Sequence, residues 1–118
     1  MPTLLSPQIQ IILEELSREV KRIYPETLSD IILYGSQARG EAERDSDLDI
    51  LIVLKQAFDY SEELERTSHF IADLSLKYNT LISRSFIDQQ RLISEKSPFI
   101  RNIRKDGIVL CQMSNKDF

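Results

Sequence analysis

The segment Ile50-Leu51-Ile52-Val53-Leu54 contains no polar residue, and two aspartates, Asp47 and Asp49, stand at its entrance. A bounded apolar run with β-branched residues reads as a buried strand. It is far shorter than the ~20 apolar residues that span a bilayer, so no membrane role is expected. Asp30-Ile31-Ile32-Leu33-Tyr34, closed by Gly35, reads the same way, as do Thr80 to Ile87 and the short Ile108 to Cys111. Helical periodicity fills the gaps. Ser6-Pro7 opens a first helix, since serine caps and proline suits the first helical position. Ile9, Ile12, Leu13, Leu16, Val20 and Ile23 then form one apolar stripe, which Pro25 ends. Asp59-x-x-Glu62 resembles a capping box with aspartate in the capping place, and Tyr60, Leu64, Ile71, Leu74 and Tyr78 trace the helix to Asn79. Asp88 caps a helix through Glu95. Ser97-Pro98 restarts another through Lys105, which Gly107 ends as glycines do past helix C-termini. Strands alternating with helices give one α/β (α+β) domain over residues 1–118, with 112–118 as a flexible tail.

Composition narrows the function classes. At 118 residues the chain has room for one layered core and none for a separate substrate domain. The net charge of -4 argues against direct nucleic-acid binding, which needs a basic surface. Residues 84–118 do carry seven basic and four acidic side chains, a surplus that suits an anionic partner or simply a solvated helix face. The N-terminal MPTLLSPQIQ has no basic residue before its apolar positions, unlike a secretory leader. Cys111 is the sole cysteine, so no internal disulfide forms, and a cytoplasmic location is expected.

The chemistry concentrates between Tyr34 and Ile50. Gly35 and Gly40 have the spacing of a P-loop, but Glu41-Ala42 replaces its lysine and hydroxyl. Asp45, Asp47 and Asp49 begin like a calcium loop, but Ile50 and Gln56 stand where glycine and glutamate are needed. A serine hydrolase needs a base beside its nucleophile. The only histidine, His69, falls mid-helix with no glycine elbow around Ser36. A metal–triphosphate site fits better. Asp47 and Asp49, two apart on a strand, present carboxylates to one face. Such a pair repels unless a cation lies between them, and hard oxygen ligands suit Mg2+, which completes its shell with water and substrate phosphates. Gly35 lets a phosphate approach the backbone. Ser36 caps a short helix or turn over Ser36 to Glu43, whose N–H groups favour an anion. Arg39 and Arg44 add positive charge near phosphates.

Gly35-Ser36, ten residues, then Asp47-x-Asp49 resembles the signature of the polymerase β-like nucleotidyltransferase superfamily. Ser36-x-Ala38-Arg39-Gly40 and Ser46-Asp47-x-Asp49 resemble its minimal members in particular. Ser97 to Arg104 and Gly107 extend the likeness over most of the chain. The resemblance implies a small mixed sheet with flanking helices, two Mg2+ ions and ATP as donor. It implies Asp47 and Asp49 as catalytic metal ligands. Minimal members include MntA-type antitoxins paired with HEPN-domain toxins of the HepT type, which transfer AMP to a toxin tyrosine. The superfamily normally adds a third carboxylate from a later strand, but Asn79 to Ile87 contains no acid. Asn79, at the start of that strand, or Asp88, just beyond it, is expected to stand in. Two alternatives follow: an antitoxin that silences its toxin by stoichiometric binding, and an enzyme acting on a small molecule.

Overall fold

The computed structural model describes residues 5–40 and 47–110. Chain order within it is α1 (Pro7–Ile23), β1 (Leu28–Tyr34), α2 (Ser36–Arg39), β2 (Leu48–Leu54), α3 (Tyr60–Tyr78), β3 (Ile82–Asp88), α4 (Gln89–Ser94), α5 (Pro98–Asp106) and β4 (Ile108–Val109). The sheet has the order β3-β2-β1-β4. β1 runs antiparallel to β2 and β4, while β2 and β3 are parallel across the α3 crossover. This is the mixed sheet with flanking helices implied by the sequence.

The apolar run of β2 is explained by burial on both faces. Ile50, Ile52 and Leu54 join Ile31 and Leu33 of β1 beneath the stripes of α1 and α3. Leu51 and Val53 point the other way, onto Ile32, Ile87 and the inward side of α5, Ile100 and Ile103. At ~25 cal/mol per Å2, these aliphatic faces are the main stabilising contribution. Polar groups drawn inside are partnered. Tyr24 donates to the buried Glu63 carboxylate at 2.5 Å. Arg84 crosses from β3 to donate to the Thr67 hydroxyl and the Leu64 carbonyl of α3.

The helix boundaries follow from local chemistry. Ser6 and Ser97 each accept from the N–H three residues on, Ile9 and Ile100, with proline next in the chain. Asp59 and Asp88 cap α3 and α4 in the same manner. α3 ends on Asn79 in the left-handed region, φ 50°, which asparagine tolerates better than most residues. β3 therefore starts at Ile82, two residues later than expected from Thr80, and β1 starts two earlier, at Leu28. The strand expected to reach Cys111 is Ile108–Val109. Cys111 and the expected tail lie outside the described residues.

Gly107 does follow α5, but not in the left-handed conformation: its φ is -67°. Its requirement is steric. A Cβ there would stand 2.5 Å from the Ile103 carbonyl oxygen and 2.7 Å from Ile32 Cγ2. Gly107→Ala is expected to cost about 1–3 kcal/mol through overpacking, read as a lowered urea midpoint with an unchanged slope.

Candidate active site

The turn between β1 and α2 positions the site. Gly35 adopts φ 79° and ψ -161°, a region essentially restricted to glycine. Gly35 itself occupies the N-cap position of α2, with Ser36 as the first helical residue. The expected capping by Ser36 is thus corrected: the helix begins one residue earlier. Four-residue α2 ends at Gly40, which is left-handed at φ 72°. Arg39 is exposed at its last position. Arg44, with residues 41–46, lies outside the described residues.

In the β1–β2 ladder Tyr34 pairs with Asp49, so the glycine after Tyr34 comes against that carboxylate. A Cβ on Gly35 would collide with Asp49 Oδ2. Asp49 is half-buried, whereas Asp47 is exposed immediately before β2. Asp49 shares the strand face of Leu51 and Val53, by the alternation of side chains. Burial first, then the negative charge of Asp47, pushes the Asp49 carboxyl above its ordinary range. Among the described residues no lysine or arginine forms an ion pair with either aspartate, and no group of three or more acidic, histidine or cysteine side chains has metal-binding geometry. Two uncompensated carboxylates beside a glycine cradle suit a hard divalent cation that takes its remaining ligands from water and phosphate.

Of the two residues expected to replace the third carboxylate, Asp88 is not brought to this pair and Asn79 lies outside the β2–β3 ladder. Asp88 pairs with Leu54, at the opposite end of β2 from Asp49. Five strand positions separate them, about 16 Å, and its carboxylate accepts from the Arg91 N–H to cap α4. Asn79 terminates α3 before the strand begins. The Leu81 carbonyl accepts from Leu48 N–H, and Ile82 pairs with Leu48. The residue opposite Asp49 is Ser83, with Ser85 next on the same face opposite Leu51. The alternation Ser83, Ser85, Ile87 against Arg84, Phe86, Asp88 carried this signal, since only the first set matches the face of Asp49.

Tyr34 walls the site. Burial raises its phenol pKa, the Ser85 hydroxyl works against that by hydrogen bonding, and the Asp49 charge raises it further. Its ring meets Phe99 of α5 edge-to-face at 5.3 Å. Three of the seven basic residues of the last third are occupied elsewhere. Arg84 anchors α3, Arg91 pairs with Glu95, and Arg104 donates to the carbonyls of Leu92, Ile93 and Glu95. His69 is exposed on α3, 3.4 Å from Asp73, remote in chain and role from the aspartates.

This combination of mixed sheet, crossover and acid-bearing strand points to an enzyme that handles nucleoside triphosphates. Residues 13–111 match the nucleotidyltransferase domain family, and the chain belongs to it. Two relatives from Methanocaldococcus jannaschii are provisionally named protein adenylyltransferases. One is 35% identical over 100 residues, covering 83% of this chain and 93% of the relative. The other is 33% identical over 87 residues, covering 66% and 87%. A Sulfolobus solfataricus structure provisionally described as a nucleotidyltransferase superposes with TM-score 0.62 and 24% identity, over 86% of this chain and 80% of that one. A variant of the MntA–HpeT toxin–antitoxin gives 0.52 at 20% identity, over 82% and 70%. A toxin–antitoxin structure with AMP-PNP gives 0.51 at 18%, over 78% and 69%. At these identities the structural likeness concerns the fold.

The raised Asp49 carboxyl predicts a stability effect of definite sign. A native state that holds a proton more tightly than the unfolded chain loses stability as pH rises through the carboxylate range. Asp49→Asn removes that carboxyl, so it is expected to raise the melting temperature of metal-free protein at pH above the carboxylate range and to remove any stabilisation that added magnesium and ATP bring. Thermal melts with and without both ligands check this.

Proposed function

We propose that the protein is an adenylyltransferase antitoxin that transfers AMP from ATP to a tyrosine of a HEPN-domain, HepT-type toxin. The observation that carries the reading is the Asp47–Asp49 pair against the glycine of the β1–α2 turn. The names of the two archaeal relatives support a protein acceptor, and the toxin–antitoxin neighbours support the partner class.

In this reading Asp47 and Asp49 hold Mg2+, two ions by family resemblance. Bound metal neutralises the triphosphate and draws charge from the transferred phosphoryl group. Ser36 and the nearby N–H groups of the turn would grip the leaving pyrophosphate, and Arg39 and Arg44 would supply positive charge. The tyrosine oxygen forms a bond to the α-phosphorus as the bond to the bridging oxygen breaks. The tyrosine loses its proton and pyrophosphate departs. The reaction is placed in the cytoplasm, where ATP is abundant.

Ser83 gives a second reading its footing. With a hydroxyl opposite Asp49 in place of a carboxylate, the site has one negative charge fewer, and binding alone would silence the toxin. Incubating protein, toxin, ATP and magnesium separates the two. Transfer predicts toxin heavier by whole AMP units in the mass spectrum, absent with Asp47→Asn. Silencing without a mass change, equal without ATP, overturns the enzymatic reading.

Ser83 also predicts a gain. Ser83→Asp is expected to lower the magnesium concentration for half-maximal transfer several-fold, because a carboxylate binds a hard cation better than a hydroxyl. Asp88→Ala should leave that curve in place and lower only stability, by ~1 kcal/mol as a lost cap. Magnesium titrations of activity alongside melting temperatures check both.

A further inference from the structure

Phe99 is an unexplained group one ring contact away from the ladder partner of Asp49. It is a phenylalanine left 42% exposed on a helix whose neighbouring apolar residues, Ile100 and Ile103, are buried in the second core. Its position is fixed rather than incidental. Ser97 caps α5 one turn earlier through the Ile100 N–H, and Pro98 sets the first helical residue. The ring then rests on Tyr34 with an interplanar angle of 89° and a centroid distance of 5.3 Å. Tyr34 is in turn the ladder partner of Asp49. An edge-to-face contact uses at most one face of a ring, so Tyr34 leaves the other face of Phe99 uncovered, in a residue that is 42% exposed. α5 packs on the sheet face that carries Asp49, and Phe99 is the α5 residue whose ring meets Tyr34.

We propose that Phe99 is the stacking platform for the nucleobase of the donor triphosphate, and that the base is read by its π-face. The proposal rests on the assignment of Asp47 and Asp49 as the triphosphate site and adds what recognises the other end of the same molecule. A triphosphate held at the aspartates and the glycine turn leaves its nucleoside to lie along the flanking surface. There the Tyr34–Phe99 pair offers an open aromatic face. Stacking on one aromatic face is tolerant of base identity, because every base has such a face. The phosphates then give the binding energy its location, and Phe99 adds affinity without selecting adenine.

Calorimetric titration in magnesium tests this with ATP, GTP, CTP, UTP and inorganic tripolyphosphate as probes, against wild type, Phe99→Leu and Phe99→Tyr. Phe99→Leu keeps apolar bulk on α5 and so keeps the fold, which a melting curve verifies, while removing the π-face. The four nucleotides are expected to bind wild type within about threefold of one another. Phe99→Leu is expected to weaken all four by at least about fivefold, within the span of base–aromatic stacking. Phe99→Tyr should retain wild-type affinity, and tripolyphosphate should bind all three proteins equally. ATP binding to Phe99→Leu at wild-type strength overturns the proposal, including the case in which only the KM for the acceptor protein rises. A preference above tenfold for one base overturns it as well. So does a parallel loss of tripolyphosphate, which would make Phe99 a support of the phosphate site. Failure of the underlying assignment looks different: wild type then binds neither ATP nor tripolyphosphate, or Asp47→Asn binds both unchanged, and the proposal falls with it.

Discussion

The antiparallel register of β1 and β2 places Tyr34 across from Asp49, and from that one pairing the arrangement of the site follows. The residue after Tyr34 must pass directly over the Asp49 carboxylate, and only glycine leaves room there. Its backbone lies in a region that glycine alone enters cheaply, so the chain turns at once into α2. A shift of one residue would send Asp49 into the α1–α3 core and Ile50 into the site. The apolar alternation of β2 forbids that shift, because Ile50, Ile52 and Leu54 fill the larger core while Leu51 and Val53 fill the smaller. Core packing and site geometry are therefore enforced by the same register.

That register also carries a cost that the fold does not relieve. Asp49 is half-buried beside another carboxylate, with no cation paired to either among the described residues. Protein interiors elsewhere in this chain do not tolerate such groups. Glu63, buried, accepts from Tyr24 and Arg66, and Arg84 ends on two oxygens of α3. Where polar burial is structural, it is partnered. Asp49 is the exception: among the described residues it has no such partner, and that is what makes it a candidate functional residue.

Much of this was legible in the sequence because it depends on short-range rules. Caps at Ser6, Asp59, Asp88 and Ser97, the stripe of α1 and the apolar strands all rest on residues within a turn of each other. The same is true of the face taken by Asp49, which the two-residue period of β2 sets, while Asp47 stands just before the strand. The third position of the site is different in kind. Which residue of β3 faces Asp49 depends on where α3 stops and on the parallel register, neither of which is local. Asn79 attracted the assignment by its place before the strand, but its left-handed conformation ends the helix and leaves it outside the ladder. Ser83 was passed over because a hydroxyl in a strand gives no chemical signal until its neighbour is known. Ser36 and Gly107 were read correctly as boundary residues and for the wrong cause, since Gly35 holds the cap and Gly107 is required by contact with Ile103 and Ile32.

The two helical layers are unequal, and that inequality bears on what the site requires of its acceptor. α1 and α3 cover one sheet face with a continuous core, whereas among the described residues the other face has α5 and the short α4 around six buried residues. α5 begins beside Tyr34 with Phe99, and Asp47 and Ser83 stay exposed. Electrostatic stabilisation of a reacting phosphoryl is strongest where water is excluded, and no described element performs that exclusion at Asp47. On the proposed reading, the surface that closes the site belongs to the acceptor. A protein partner large enough to cover the end of the sheet would bring both the hydroxyl and the dry environment, while a small molecule would bring only the first.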